Sequence, residues 1–312
     1  MSAPGAPDGR GPLLLTGADG QVGWELRRAL LPLGRVVALR RADADLADAD
    51  ALRAAVRAHR PSAIVNAAAH TAVDRAESER EAAFAANAEA PRVLAEEAAR
   101  LGAPIVHYST DYVFDGSKGA PYVETDPVAP LGVYGESKLA GEQGVLAAGG
   151  PHVVLRTSWV YASRGRNFLR TMLRLAHERE ELRVVADQTG VPTPARLVAE
   201  TTAALLARLA AGNGFALPAE ACGVYHVAAR GPTTWHAFAE AILDRDPRRA
   251  EQRCRTVTAI ATADFPTPAR RPAYSVLDPS KLERTFGLRM PAWEEGLELV
   301  MGEIGTAVNV ER

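Results

Sequence analysis

An α/β fold, a doubly wound parallel sheet with helices on both faces, is predicted by three observations. Short apolar runs alternate with helical patterns up to about residue 165, the first run breaks into a glycine-spaced turn that opens a helix, and small or hydroxylated residues gather where later runs end.

The first run, Pro12-Leu13-Leu14-Leu15, stops at Thr16-Gly17. Gly17 allows a tight turn, Gly20 lets backbone approach a pyrophosphate, and Gly23 permits close packing of the next helix, whose pattern continues to near Leu33. An ordinary strand-to-helix turn would use the same glycines. Arg35 to Leu39 reads as a second buried strand. It ends in Arg40-Arg41, where NAD-preferring proteins often carry an acid for the ribose hydroxyls. Two guanidinium groups there suit a 2′-phosphate and point to NADP; two solvated arginines at a strand end fit as well.

A helix from about Asp48 to His59 begins on Asp48 and Asp50, which serve both cap and dipole. After Pro61, a third strand from Ala63 runs into Ala67, Ala68 and Ala69, small residues that leave room for a cofactor or for tight helix-sheet packing. Asp74 to Leu101, charged on one side and alanine-rich on the other, predicts one long or kinked helix interrupted at Asn87 and Pro91. The fourth strand, Ile105 to Tyr108, ends in Ser109-Thr110-Asp111-Tyr112, hydroxyls placed as active-site groups usually are.

A polar loop then leads to Tyr134-Gly135-Glu136-Ser137-Lys138, at the start of a helix running to Leu146. The spacing puts Tyr134 and Lys138 on one helix face. A phenol beside an ammonium is a plausible general acid, because the positive charge draws the Tyr pKa down from about 10. Alone, the spacing also fits an exposed helix face. Pro151 to Tyr161 reads as the fifth strand, and parallel strands with right-handed crossovers would gather Gly17, Ala67, Thr110 and Trp159 along one edge.

Beyond that edge the pattern loosens. Helices are expected near 167–180, 195–211 and 234–244, strands near 182–186 and 223–228, and a proline-rich stretch at 265–272 excludes helix and central strand. The expected organisation is a tail at 1–10, disordered, a dinucleotide-binding domain over 11–165 whose sheet the strands near 182–186 and 223–228 rejoin, and a smaller, mainly substrate-binding domain over 166–312.

Composition narrows the classes. A net charge of -2 from 36 basic and 38 acidic residues provides no field for nucleic acid or an anionic membrane, so an anionic ligand must be held locally. Two cysteines, Cys222 and Cys254, without metal-ligand spacing argue against a disulfide framework or a structural zinc site. No run of about 18 apolar residues could span a bilayer, and the Pro/Gly-rich start lacks a signal-peptide core. A soluble, cytoplasmic protein is expected.

With the glycine turn, the Thr at a strand end and the Tyr-xxx-Lys in that order, the chain resembles the extended short-chain dehydrogenase/reductase superfamily, which uses the GxxGxxG spacing. More closely, LLLTGADGQVGWEL, IVNAAAHTAVDRAESE, HYSTDYVFDG, VYGESKLAGE, LRTSWVYA, NFLRTMLRLA, DQTGVPT and FPTPARRP resemble the dTDP-4-dehydrorhamnose reductases, over almost the whole chain. The resemblance implies a Rossmann-type sheet with a smaller C-terminal substrate-binding domain. It implies catalytic Thr110, Tyr134 and Lys138, hydride transfer from NADPH (or NADH) to a 4-keto sugar carbon, a proton from Tyr134, and a hydrogen bond from Thr110 to the same oxygen. Lys138 would hold the nicotinamide ribose and lower the Tyr134 pKa.

The likeness also places the cofactor over Gly17, Gly20, Gln21, Val22, Asp45, Leu46, Ala67, Ala68 and Ala69, with Arg40 at the 2′-phosphate. Thr71, Val73, Tyr112 and Trp159 would line the dTDP-4-keto-6-deoxysugar, and Arg270 or Arg271 could clamp its diphosphate. The reaction implied needs no metal. Some relatives dimerise through a magnesium ion held by glutamates. Glu25 and Glu294 match those places, whereas Arg196 stands at a third, leaving metal and homodimer open. Arg40 replaces the acid of relatives that accept either nicotinamide. Sugar-nucleotide dehydratases carry Asp-Glu after the catalytic Thr, and here Asp111-Tyr112 follows, which favours simple carbonyl reduction. Two alternatives resemble the chain too: a reductase of another dTDP-4-keto-deoxysugar, and the non-catalytic, NADP-binding regulatory subunit of methionine adenosyltransferase.

Overall fold

In the computed structural model, residues 11–212 and 214–310 are described, so the tail expected over 1–10 lies outside them. Five strands, β1 (Leu13–Thr16), β2 (Val36–Leu39), β3 (Ala63–Asn66), β4 (Ile105–Thr110) and β5 (His152–Thr157), join a sixth, Gly223–His226, in one sheet. The order is β2-β1-β3-β4-β5-sixth, and every neighbouring pair is parallel. The chain winds outward from β1 to β2, then crosses to β3 on the other side of β1. That switch point leaves a crevice at the carboxyl ends of β1 and β3, where open α/β sheets hold ligands.

The period of two sorts the core onto two faces. Leu13, Leu15, Val65, Val106 and Leu155 pack against helices α1 (Gln21–Ala29) and α8 (Ala195–Leu209) through Leu26, Leu30, Val198 and Leu205. Leu14, Ile64, Ile105 and Val154 pack against α2 (Ala49–His59) and α5 (Ala90–Leu101) through Leu52, Val56, Val93 and Leu94. Each such side chain, fully enclosed, stabilises the fold by roughly 1.5–3 kcal/mol.

One expectation is met and one needs correction. The helix expected to be long or kinked over 74–101 opens with a separate turn, α3 (Val73–Ala76), and then runs unbroken from α4 (Arg80–Phe84) through a π turn at Ala85–Glu89, around the interruption expected at Asn87, into α5. The wide π turn brings Asn87 inside, where its side chain accepts from His70 N (2.8 Å) and donates to His70 O and Ser137 Oγ (both 3.0 Å). Pro91 sits in the first turn of α5, where it has no N–H to lose.

The strand near 182–186 does not rejoin the main sheet. Glu181–Val185 pairs in parallel with Thr256–Ile260 in a separate two-stranded ribbon. Its pattern explains why: Glu181 and Arg183 are exposed while Leu182 and Val184 are buried, which suits a ribbon covered on one side and not a sheet covered on both. A second apolar cluster covers that side. Leu182 and Val184 meet α7 (Phe168–Glu178), α9 (Trp235–Asp244) and α11 (Trp293–Val310) through Leu169, Leu173, Phe238, Ile242 and Leu297.

Candidate active site

Thr110 ends β4 and caps the short 3-10 turn Asp111–Val113, its Oγ1 accepting from Tyr112 N at 3.2 Å and donating to Asp111 Oδ1 at 3.0 Å. Helix α6 (Val133–Ala147) descends onto this turn because residue 135 is glycine: a Cβ there would stand 2.3 Å from Tyr112 O. The close approach puts Tyr134 beside Thr110, its ring edge-on to that of Tyr112 with centroids 5.6 Å apart.

Burial pushes the Tyr134 phenol up to about 12; the Thr110 hydroxyl opposes this and the Asp111 charge adds to it. The downward pull expected from Lys138 is therefore overturned. Lys138 is buried one turn along, and its Nζ donates to Tyr108 O at 2.5 Å. Burial draws its ammonium down to about 8, against the attraction of Glu142. Asp111, 2 % exposed, is pushed up to about 6 by burial, with the Ser275 and Thr110 hydroxyls opposing. Burial also raises Tyr112. Behind Lys138, Glu142 grips Arg156 through two hydrogen bonds of 2.8 and 2.6 Å, both residues buried.

The glycine turn lies two strands away along the same sheet edge. Gly17 has φ +72°, and a Cβ on it would meet Ala68 N at 2.6 Å; one on Gly23 would stand 1.9 Å from Gly17 O. Gly20, the N-cap of α1, offers the helix amides no side-chain acceptor. Ala67, Ala68 and Ala69 are half-buried beyond β3. They are fixed by residues that pattern reading did not single out. Asn66 Oδ1 accepts from Thr16 Oγ1 (2.6 Å) and Ala68 N (3.3 Å), and its Nδ2 meets His107 Nδ1 at 3.1 Å. A polar Asn ending an otherwise apolar strand was the available signal. His107 is a fully enclosed core residue, held well below the ordinary histidine range by burial and by Lys138.

The remaining predicted positions divide. Val22 packs under the turn, Gln21 Oε1 accepts from Asn167 Nδ2 at 3.0 Å, and Leu46 packs in the core beside α2. Asp45 accepts from Ala47 N (3.0 Å) and Arg41 Nε (3.1 Å), and these bonds hold its carboxyl below the usual range. Arg40 is exposed, its Nε 3.7 Å from Asp19 in the glycine turn. Thr71 is exposed and Val73 half-buried at the start of α3. Arg271 pairs with Asp74 at 2.9 Å and also bonds Thr267, while Arg270 is exposed. Trp159, with φ +43°, stacks on Trp235 at 3.5 Å and is pressed by Gly190, whose Cβ, if present, would stand 2.4 Å from the indole. Trp235 was not anticipated: on α9, far along the chain, it reads as core.

Comparison with known proteins decides the family. The family model described as RmlD substrate binding domain matches residues 11–305. A dTDP-4-dehydrorhamnose reductase of Burkholderia thailandensis is 50% identical over 295 residues, covering 94% of this chain and 98% of that one. The chain belongs to the dTDP-4-dehydrorhamnose reductase family. Its relative from Escherichia coli (strain K12) is 45% identical over 304 residues, with 96% and 99% of the two chains covered. Among solved structures, the family's member from Bacillus anthracis, in complex with NADP, superposes with a TM-score of 0.85 at 36% identity, covering 94% of this chain and 99% of that one. At the positions matched above to a magnesium site, this member of the family has Arg196 donating to Glu25 (3.2 Å) and paired with Glu303, while Glu294 stands by Gly231.

Proposed function

We propose that the protein reduces the 4-keto group of dTDP-4-dehydro-β-L-rhamnose to give dTDP-β-L-rhamnose, with NADPH as hydride donor. The observation that carries this is the meeting of Thr110, Tyr134 and Lys138 at the carboxyl end of β4, on the sheet edge that also carries the glycine turn. The names borne by the relatives supply the substrate, and the NADP complex of the Bacillus anthracis protein supports the cofactor.

The residues present fit a dinucleotide. Gly17 and Gly23 leave no room for side chains, Gly20 leaves the α1 amides open to an anion, and Asn66 holds the alanine run against the turn. Gly17, Gly20, Gln21, Val22, Asp45, Leu46 and Ala67 to Ala69 would form that cradle, with Arg40 at the 2′-phosphate and Lys138 at the nicotinamide ribose. When bound, NADPH supplies the hydride that reaches the carbonyl carbon. The raised phenol of Tyr134 keeps its proton at neutral pH and gives it up only to a strong base, which the developing alkoxide is. Thr110 hydrogen-bonds the same oxygen. Thr71, Val73, Tyr112 and Trp159 would line the sugar nucleotide, and Arg271, paired with Asp74, would turn to its diphosphate.

The test is turnover. Purified protein with NADPH, or with NADH, is offered a panel of dTDP-4-keto-6-deoxysugars while nicotinamide oxidation is followed and the product identified. Fastest reduction of the 4-dehydrorhamnose derivative is expected. Faster turnover of another keto sugar would reassign the substrate, and no turnover with any would sink the reductase reading.

A further inference from the structure

We propose that Asp111 works as a neutral carboxyl group whose Oδ1–H donates to Thr110 Oγ1, leaving the Thr110 proton free for the oxygen being reduced. Asp111 is thus a positioning residue that acts through Thr110. The inference rests on the proposed carbonyl reduction.

The reasoning is a count of donors and acceptors around one oxygen. A threonine hydroxyl has one proton and two lone pairs. Thr110 Oγ1 already accepts from Tyr112 N at 3.2 Å and lies 3.0 Å from Asp111 Oδ1. If Asp111 is a carboxylate it can only accept, so the single Thr110 proton is committed to it. A lone pair then faces the substrate oxygen, where negative charge develops, and the contact repels. If Asp111 carries a proton on Oδ1, the direction reverses. Both lone pairs of Thr110 are filled, by Tyr112 N–H and by Asp111 O–H, and its own proton is free to turn from the Tyr134 phenol oxygen beside it to the substrate oxygen. Asp111 keeps its proton throughout: hydride goes to carbon, and the proton that reaches oxygen leaves Tyr134.

The surroundings favour the neutral form. Asp111 is 2 % exposed, and its Oδ2 is enclosed without a hydrogen bond of ordinary geometry. The Ser275 hydroxyl faces the same carboxyl and can donate to Oδ2 while Oδ1 carries the proton. The titratable groups facing it are the phenols of Tyr112, on its own turn, and Tyr134, on α6. No salt bridge reaches Asp111 among the described residues; the guanidinium near Tyr112, that of Arg271, is taken by Asp74. Burial pushes Asp111 up to about 6, so the competent form dwindles as pH rises above about 6.

The test is the pH profile of keto-sugar reduction under saturating NADPH, for the wild type, Asp111→Asn and Ser275→Ala. An asparagine amide donates to Thr110 at every pH. The wild-type rate is expected to fall about tenfold per pH unit above about 6, and the Asp111→Asn profile to stay level from pH 6 to 8. Ser275→Ala removes a group that stabilises the carboxylate, so its fall is expected at higher pH than the wild type's. An Asp111→Asn profile sloping like the wild type's, or a Ser275→Ala profile that does not move, overturns the inference; if the asparagine variant fails to fold, Ser275→Ala decides. A wild type inactive at every pH overturns the reductase reading and this inference with it, whereas an active wild type with unmoved variants overturns this inference alone.

Discussion

Glu142 and Asp111 are both enclosed carboxyls near the carboxyl ends of β4 and β5, and the protein treats them oppositely. Glu142 is met by the guanidinium of Arg156 through two hydrogen bonds, so its charge is balanced in place. Asp111 is met by hydroxyls and phenols and is pushed up to about 6. The difference teaches how to tell a carboxyl that holds structure from one available to chemistry. A compensated charge locks two elements together, here α6 and β5, whereas an uncompensated one can exchange its proton near working pH.

The comparison can be broken or sharpened in four ways. The largest effect is expected where chemistry is claimed: Tyr134→Phe should lower kcat by about a thousandfold or more, while NADPH affinity, read by fluorescence titration, stays near that of the wild type. Full activity would remove the proton donor. On the structural side, Glu142→Gln should cost about 3–5 kcal/mol in denaturant unfolding, because Arg156 is left buried with a neutral partner. A loss below 1 kcal/mol would mean the pair is not what joins α6 to β5.

Asp111→Asn should do the reverse. A carboxyl raised on folding binds its proton more tightly in the native state, so its contribution to stability is fully present below about pH 4 and is lost as pH rises through about 6. Removing the charge should therefore stabilise the protein at pH 8 by up to about 3 kcal/mol and leave it unchanged at pH 4. Destabilisation at pH 8 would show that the carboxylate is welcome after all. The smallest effect calibrates the others. Asp48, an exposed helix cap accepting from Asp50 N and Ala51 N, should cost about 1 kcal/mol as Asp48→Ala.

Much of this was legible along the chain. The order of strands and helices through β5 follows from apolar runs and glycine breaks, and Thr110, Tyr134 and Lys138 stood out by position. What stayed hidden depends on contacts between distant segments. Nothing local says that Thr256–Ile260 pairs with Glu181–Val185, that Trp235 stacks on Trp159, or that Ser275 faces Asp111. The direction of the Tyr134 shift was misread for the same reason. Sequence spacing gives the neighbour on the helix, and only the assembled fold gives the depth of burial that outweighs it.

The bridge that Arg196 makes bears on where the chain can be shortened. Glu303, one of its partners, lies in the second half of α11, while Glu25, the other, belongs to the helix that follows the glycine turn. A truncation just before residue 303 would therefore be felt near the opposite terminus. Amide exchange along Gln21–Ala29 is where the loss should register first, and a tag is better carried beyond the last turn of α11 than in place of it.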